Sequence, residues 1–132
     1  MEQSIIDIKT TIRGPVPRIP FADIAQAILG DSYELSLVIC GDKLAQRMNI
    51  EHRQKSYYPN VLSFPLTKSE GEIFLNVRKA EREARSGSIP LRQRIAYLFV
   101  HGCFHLKGID HGTRMEREEQ SIMQAFKFSK GA

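Results

Sequence analysis

Residues 101–111 contain three of the four histidines of this chain, and their spacing restricts how the segment can fold. The order is His101-x3-His105-x5-His111, with Gly108 between the second and third histidines. On an α-helix the first two lie one turn apart, about 6 Å along the axis, so both imidazoles can reach one ion. Gly108 can end that helix in a left-handed conformation, after which the chain turns back. The spacing therefore predicts a helix, a reversal and three imidazoles around one metal ion.

The residue after His101 separates this motif from that of the zinc proteases. Three imidazoles leave one coordination position open for water, as in catalytic zinc sites. The protease pattern HExxHxxGxxH has the same histidine and glycine spacing, but a glutamate base follows its first histidine. Gly102 occupies that position here and has no side chain to accept a proton, whereas it allows close packing. Cys103, two residues from His101, is predicted to face the core.

The apolar pattern predicts one α+β domain over residues 1–132, with a small mixed four-stranded sheet covered by about five helices. Strands are predicted over Ser4–Ile12, Tyr33–Cys40, Asn60–Pro65 and Glu72–Val77. Helices are predicted over Phe21–Leu29, Lys43–Arg53, Lys79–Ser86 and Arg114–Phe126. The long helix that bears the metal cleft is predicted to begin at Ser88 or Pro90.

Three local features of these elements are also predicted. Asp42 is expected to cap the second helix, and Leu44 and Met48 are expected to be the buried positions of that helix. Residues 127–132 are expected to fray, as chain ends commonly do.

Composition narrows the cellular setting of the chain. No apolar run approaches the ~20 residues of a membrane span, and the N-terminus lacks the pattern of a secretory signal. Cys40 and Cys103 suggest no disulfide framework, so we expect reduced thiols in a cytoplasmic protein. The net charge of +4 is compatible with a polyanionic partner. For Arg82 and Arg85 a solvated helix face is the favoured interpretation.

Two segments of the chain resemble the signature of the YbeY family of bacterial ribosomal RNA maturation factors. The first is YLFVHGCFHLKGIDH at residues 97–111, and the second is MNIEHRQKSYYPNVLSFP at residues 48–65. The resemblance runs from about residue 33 to residue 126 in the family's order. Pro59 stands where the family usually has threonine, and Asn60 stands where aspartate is common. None of the departures from the family pattern affects the three histidines.

The resemblance implies a zinc-dependent, single-strand-specific endoribonuclease that acts in 16S rRNA 3′-end maturation and ribosome quality control. It implies the same α+β fold and one zinc ion per chain, held by His101, His105 and His111. Its partners would be ribosomal RNA and the small ribosomal subunit, together with a small-subunit protein and the GTPase Era. Arg53 matches an arginine regarded as important for activity in the family, and a guanidinium can bind two phosphate oxygens at once.

Four further residues are weaker candidates. Lys55, Asn60 and Ser63 are predicted to contact the substrate at the cleft. Asp110 is predicted either to orient an imidazole or to cap the following helix.

Three residues with aromatic side chains lie close to Arg53 in the sequence. Tyr57 and Tyr58 are predicted either to stack on unpaired bases or to pack into the core. His52 is not predicted as a ligand, because neighbours on a helix do not share a face.

Two other functions fit parts of the pattern. One is a ribosome-assembly or RNA-binding factor with little nuclease activity, in which zinc mainly organises the cleft. The other is a zinc peptidase-like hydrolase, against which Gly102 argues. For the nuclease itself, the attacking group is either water activated by zinc or the ribose 2′-hydroxyl.

Overall fold

A computed structural model describes residues 5–128 of the chain. The strands are β1 Ile5–Thr10, β2 Glu34–Cys40, β3 Val61–Thr67 and β4 Glu70–Asn76. The helices are α1 Phe21–Leu29, α2 Asp42–Arg53, α3 Val77–Gly87, α4 Leu91–Lys107 and α5 Thr113–Ala125. The predicted order of elements and the α+β class are confirmed, with bounds that shift by a few residues. Ser4, where the first strand was predicted to begin, lies outside the described residues.

The four strands form one mixed sheet in the order β1-β2-β4-β3. β1 and β4 both pair in parallel with β2, while β3 pairs antiparallel with β4 through a tight hairpin. β3 continues past its predicted end at Pro65, with a register irregularity between Pro65 and Thr67. Proline is tolerated here because β3 is an edge strand, whose outward side needs no ladder hydrogen bond. The edge position also places β3 directly beside the cleft.

One face of the sheet is covered mainly by α1 and α4. Phe99 and Phe104 of α4 are fully buried, and the ring of Phe21 on α1 packs edge-on against Phe99 at 4.8 Å. Full burial of a phenylalanine side chain contributes about 2–3 kcal/mol. Ile95 and Leu98 are buried on the same helix. This core holds α4 against the sheet and so fixes the helix that carries the first two histidines.

The opposite face of the sheet is covered by α2, and two predictions about this helix are wrong. Its buried positions are Ala45 and Asn49, whereas Leu44 and Met48 are only partly buried. The small Ala45 lies at the line of contact with the sheet, and larger side chains flank it. Gly41 is the N-cap residue, and Asp42 makes no capping hydrogen bond.

Asp42 instead joins three elements. Its carboxylate accepts two hydrogen bonds from Arg82 on α3, at 2.8 and 3.0 Å, and one from the Asn76 amide at the end of β4. These hydrogen bonds lower the pKa of Asp42, and those from Arg82 have the largest effect. Arg82 thus lies on an exposed helix face, as predicted, but with its charge paired.

The end of α5 also departs from expectation. Fraying was predicted from residue 127 onward, yet the Phe128 side chain is buried. The Arg92 guanidinium lies 4.5 Å from the centre of its ring, a cation–π distance. The rest of the predicted frayed segment, residues 129–132, lies outside the described residues. Phe128 belongs to the main hydrophobic core, and its amide donates to the carbonyl of Met123 on α5.

Between residues 5 and 128, no helix is both long enough and apolar enough to cross a membrane. Both cysteines are free and buried, as expected for reduced thiols.

Candidate metal centre

The three histidines of the motif converge on one point. His101 and His105 project from the last two turns of α4, which ends at Gly108 in the left-handed region with φ 94°. The amides of Gly108 and Ile109 close the helix by donating to the carbonyls of His105 and Phe104. The chain then turns back and places His111 beside the other two. One ligand nitrogen from each ring lies within 4.8 Å of the others, so the cluster can hold a metal ion.

The distance between the imidazole nitrogens fits a metal ion with tetrahedral coordination. Nε2 of His101 and Nε2 of His105 lie 3.1 Å apart. Two nitrogens bound to zinc at about 2.0–2.1 Å with a tetrahedral angle lie roughly 3.3 Å apart. Three neutral imidazoles suit zinc, and they also suit nickel, iron and copper. The donor set therefore fits a transition metal without selecting among these ions.

The electrostatic surroundings favour the neutral form that binds metal. Burial lowers the pKa of His105, and the neighbouring His101 and His111 lower it further. A lowered pKa leaves the imidazole uncharged over a wider pH range, with its lone pair available for a metal ion. Cys103 does not join the cluster: it is fully buried, and desolvation raises the pKa of its thiol.

A buried carboxylate lies directly behind the cluster. Glu119 of α5 is only 4% exposed, and its Oε2 lies 2.5 Å from Nδ1 of His101. Its Oε1 accepts a hydrogen bond from the Tyr97 hydroxyl at 3.3 Å. Burial and the adjacent carboxylate raise the pKa of Tyr97, so the phenol remains a donor. We call His101, His105, His111 and the supporting Glu119 the histidine wall of the cleft.

Glu119 was not among the residues predicted from the sequence, although a signal for it exists. It lies midway between Met115 and Met123 at helical spacing, and both methionines are buried core residues. A carboxylate on the apolar stripe of an amphipathic helix needs a buried partner. Asp110, which was predicted to orient an imidazole or cap α5, does neither by hydrogen bond within residues 5–128. It is exposed, and Gly112 is the N-cap residue of α5.

The opposite side of the cleft is formed by the end of α2 and the loop that follows it. Arg53 is the last residue of α2, and Nη1 of its guanidinium donates to Asn49 Oδ1 at 3.2 Å and to the Tyr57 hydroxyl at 2.9 Å. Asn49 is fully buried, and its amide nitrogen donates to the Tyr57 carbonyl at 3.1 Å. We call Asn49, Arg53 and Tyr57 the arginine wall. Its hydrogen bonds hold the guanidinium toward the cleft.

The two walls enclose a polar cleft of about 460 Å³. Arg53, Tyr57 and all three histidines line it, and so do the predicted substrate-binding residues Asn60 and Ser63. The Ser63 hydroxyl donates to the Gly102 carbonyl at 2.9 Å, and the Asn60 amide donates to Glu83 at 3.2 Å. Both side chains therefore already have protein partners at the cleft edge.

The remaining candidate residues differ in their surroundings. Lys55 is exposed and does not line the cleft. Tyr57 and Tyr58 are 50% and 44% exposed, so the prediction that they pack into the core is wrong.

His52 packs against the Phe64 ring at 4.7 Å and stands apart from the metal cluster, as predicted. Pro59 is buried, and its carbonyl accepts a hydrogen bond from Asn76, for which proline serves as well as threonine.

Gly102 occupies the position where a protease would have its glutamate. A Cβ atom there would lie 3.0 Å from Ser63 Oγ and 3.2 Å from side-chain atoms of Val61 and Ile73. The close approach of α4 to β3 and β4 thus leaves little room for a side chain at this position, as predicted. A glutamate side chain would begin against Ser63 and Val61, which both line the cleft.

Comparisons with known proteins agree with this geometry. A family model described as Endoribonuclease YbeY matches residues 9–128. An Endoribonuclease YbeY from Aromatoleum aromaticum is 33% identical over 125 residues, which cover 92% of this chain and 80% of that protein. Another from Acidovorax sp. is 33% identical over 129 residues, covering 91% and 85%. The solution structure of TM1509 from Thermotoga maritima has the same fold, with a TM-score of 0.62, 18% identity and 92% of each chain covered. This chain belongs to the YbeY endoribonuclease family.

Proposed function

We propose that this protein is a cytoplasmic, zinc-dependent endoribonuclease that cleaves single-stranded RNA and acts in 16S rRNA 3′-end maturation and ribosome quality control. The observation that carries the proposal is the placement of three imidazoles and a guanidinium around one polar cleft. Family membership supplies the reaction class, and the cleft supplies groups suited to a phosphodiester.

His101, His105 and His111 would hold one zinc ion. When bound, zinc supplies Lewis acidity that polarises a phosphoryl oxygen and lowers the pKa of water. Arg53 would donate two hydrogen bonds to the non-bridging phosphate oxygens, whose negative charge grows as the bond breaks. Since the guanidinium is tethered to Asn49 and Tyr57, little further ordering is needed when the substrate binds.

The attacking group is either water or the ribose 2′-hydroxyl. Among the described residues that line the cleft, none is aspartate or glutamate. Attack by the 2′-hydroxyl leaves a 2′,3′-cyclic phosphate, whereas attack by water leaves a terminal phosphate monoester. Analysis of the product ends distinguishes the two routes.

The exposed ring of Tyr57 explains how the cleft would prefer single strands. The ring lies at the rim, and its hydroxyl is bonded to Arg53. A base can stack on it only when that base is unpaired, and such stacking contributes about 1–3 kcal/mol per base. A phosphate at Arg53 and a neighbouring base on Tyr57 would therefore be bound together.

The direct test is cleavage of an unstructured RNA by zinc-loaded protein. We expect cleavage by the wild-type protein and none by His105→Ala, while His52→Ala stays within about twofold of wild type because His52 lies outside the cluster. Identical purification of the three proteins exposes contaminating nucleases. Equal cleavage by wild type and His105→Ala, or cleavage by neither, would contradict the nuclease proposal.

The proposed partners are ribosomal RNA in the small subunit, a small-subunit ribosomal protein and the GTPase Era. The net positive charge and the exposed Lys55 support a polyanionic partner. Co-sedimentation with small subunits tests this separately from cleavage. If a His105→Ala variant still associates with the subunit and wild type cleaves no RNA, the assembly-factor function replaces the nuclease.

A further inference from the structure

Within residues 5–128, Glu119 is the single buried residue with a formal charge, since the other two buried polar residues, Asn49 and Asn76, are neutral. A carboxylate loses much solvation energy on burial, so such a group persists only where it is paired or hydrogen-bonded. Both oxygens of Glu119 have partners on α4, one on His101 and one on Tyr97, which lie one helical turn apart. The ring of Tyr97 also stacks beside that of His101, with centroids 5.9 Å apart and an interplanar angle of 28°.

The contact with Glu119 determines which nitrogen of His101 faces the cluster. A carboxylate accepts hydrogen bonds and donates none when ionised, so its neighbour Nδ1 must carry the hydrogen. The other nitrogen, Nε2, then has the free lone pair, and it is the atom that lies 3.1 Å from Nε2 of His105. The same lone pair points to the place where an ion would bind.

Two other roles for Glu119 do not fit its position. It is absent from the residues that line the cleft, so it does not touch a substrate there. It contacts His101 on the side of the ring away from Nε2, and the metal-ligand cluster does not include it. Glu119 is therefore neither a general base at the reacting phosphate nor a fourth ligand.

We infer that Glu119 is a positioning residue: by accepting the Nδ1 hydrogen of His101 it holds Nε2 toward His105 and His111, and it links the packing of α5 to metal binding. The inference rests on the proposed metal site. The position of α5 affects that site at two points, because His111 lies two residues before its first residue, Thr113, and Glu119 lies in its middle. A carboxylate behind a ligating histidine fixes the ring and increases its basicity, and its loss commonly lowers metal affinity by about 10- to 100-fold.

The test measures zinc affinity without RNA, by competition with a chromophoric chelator. Glu119→Gln is expected to weaken zinc binding about 10- to 100-fold. Tyr97→Phe, which removes the outer hydrogen bond only, is expected to change it less than about threefold. Glu118→Gln is the matched control, because that neighbouring glutamate is 43% exposed and, among residues 5–128, pairs only with Arg114 at 3.9 Å. A Glu119→Gln protein that is folded and binds zinc as tightly as Glu118→Gln would overturn the inference.

A second measurement needs no substitution. Nitrogen NMR of the metal-free wild-type protein reports which imidazole nitrogen is protonated. We expect His101 in the Nδ1–H form, and an Nε2–H form or an even mixture would overturn the inference even if Glu119→Gln failed to fold. Adding zinc should also slow amide hydrogen exchange in α5 of the wild type and slow it less in Glu119→Gln.

The outcomes separate this inference from the proposed function. If wild type cleaves no RNA while Glu119→Gln loses zinc affinity, the nuclease proposal fails and the positioning role stands. If wild type cleaves RNA and Glu119→Gln keeps full zinc affinity, the positioning role fails alone. A wild-type protein that binds no zinc contradicts both.

Discussion

The two walls of the cleft face each other but are supported in different ways. The histidine wall stands on the main core: α4 is buried along most of its length, and a buried carboxylate supports His101 from behind. The arginine wall lies at the end of α2, where Arg53 and Tyr57 are exposed and a single buried side chain, Asn49, anchors them. The difference suggests that the metal site needs fixed geometry, whereas the substrate-facing wall must admit an RNA strand.

This comparison separates the expected effects of mutation. Changes in the histidine wall should affect folding and metal affinity, whereas changes at the exposed Arg53 and Tyr57 of the arginine wall should affect only RNA binding and cleavage. Four experiments test this separation.

The largest effect, on the free energy of unfolding, is expected from Gly102→Glu, which introduces the glutamate of the protease motif. Since even a Cβ atom is crowded by Ser63, Val61 and Ile73, we expect the variant to lose more than about 3 kcal/mol of stability through overpacking and a buried charge. Urea unfolding measures the loss, and a casein assay measures peptidase activity. A stable variant that cleaves casein would show that the histidine wall tolerates a base and would revive the peptidase alternative.

Arg53→Ala tests the arginine wall. Loss of a group that stabilises developing phosphate charge is expected to reduce RNA cleavage by about 100- to 1000-fold, with zinc affinity and stability unchanged. Arg53→Lys should recover little activity, because an ammonium group lacks the two-pronged geometry.

The matched control for Arg53 is Arg47→Ala, on an exposed face of the same helix and paired only with Glu51. It should retain near wild-type cleavage. An equal loss in Arg47→Ala would indicate a general charge effect, and weakened zinc binding in Arg53→Ala would show that the two walls are not independent.

Tyr57→Leu should weaken binding of an unstructured RNA by about 5- to 100-fold, the range expected for one lost stacking contact. Tyr57→Phe should keep most of the affinity, because it retains the ring and loses only the hydrogen bond to Arg53. Zinc affinity should not change in either variant.

A fluorescent version of this experiment is available because the chain has no tryptophan. The Tyr57→Trp protein should show emission quenched by a short RNA and unaffected by polyphosphate. Tyr58→Trp is the control, since Tyr58 is exposed but does not line the cleft. Equal quenching in both proteins would contradict the assignment of Tyr57 as the specific stacking site.

The smallest effect concerns pH and the histidine wall. The pKa of His105 in the folded protein is lowered, so the unfolded chain takes up the proton first as pH falls. The contribution of His105 to the free energy of unfolding is therefore fully present above about pH 6.5, the pKa of a histidine in the unfolded chain. It is lost as the pH falls through the lower pKa that His105 has in the folded protein.

Urea unfolding of the metal-free protein across this pH range measures the effect. His105→Asn should show a weaker pH dependence than wild type. Zinc affinity should fall by at most about tenfold per pH unit for each ligand that becomes protonated. If His105→Asn has the same pH dependence as wild type, other groups control the acid response.

The elements that were predicted well are those governed by neighbours in sequence. The helical spacing of His101 and His105 and the left-handed termination at Gly108 are local properties, and both are found in the structure. Arg53 could be identified by its resemblance to the family, although its hydrogen bonds to Asn49 and Tyr57 could not. The errors in α2 and at Phe128 have another origin: a sequence pattern shows which residues are apolar, but not how closely a helix approaches the sheet.

By itself, the sequence determined the metal-binding motif, the order of strands and helices, and the absence of a protease base. These depend on backbone preferences and side-chain periods that act over a few residues. The tertiary structure alone decided that Glu119 lies behind His101, 18 residues away, and that Arg53 faces the histidines across a cleft. Such pairings arise when the burial of α2, α4 and α5 against the sheet brings distant segments together, and no local preference encodes the result.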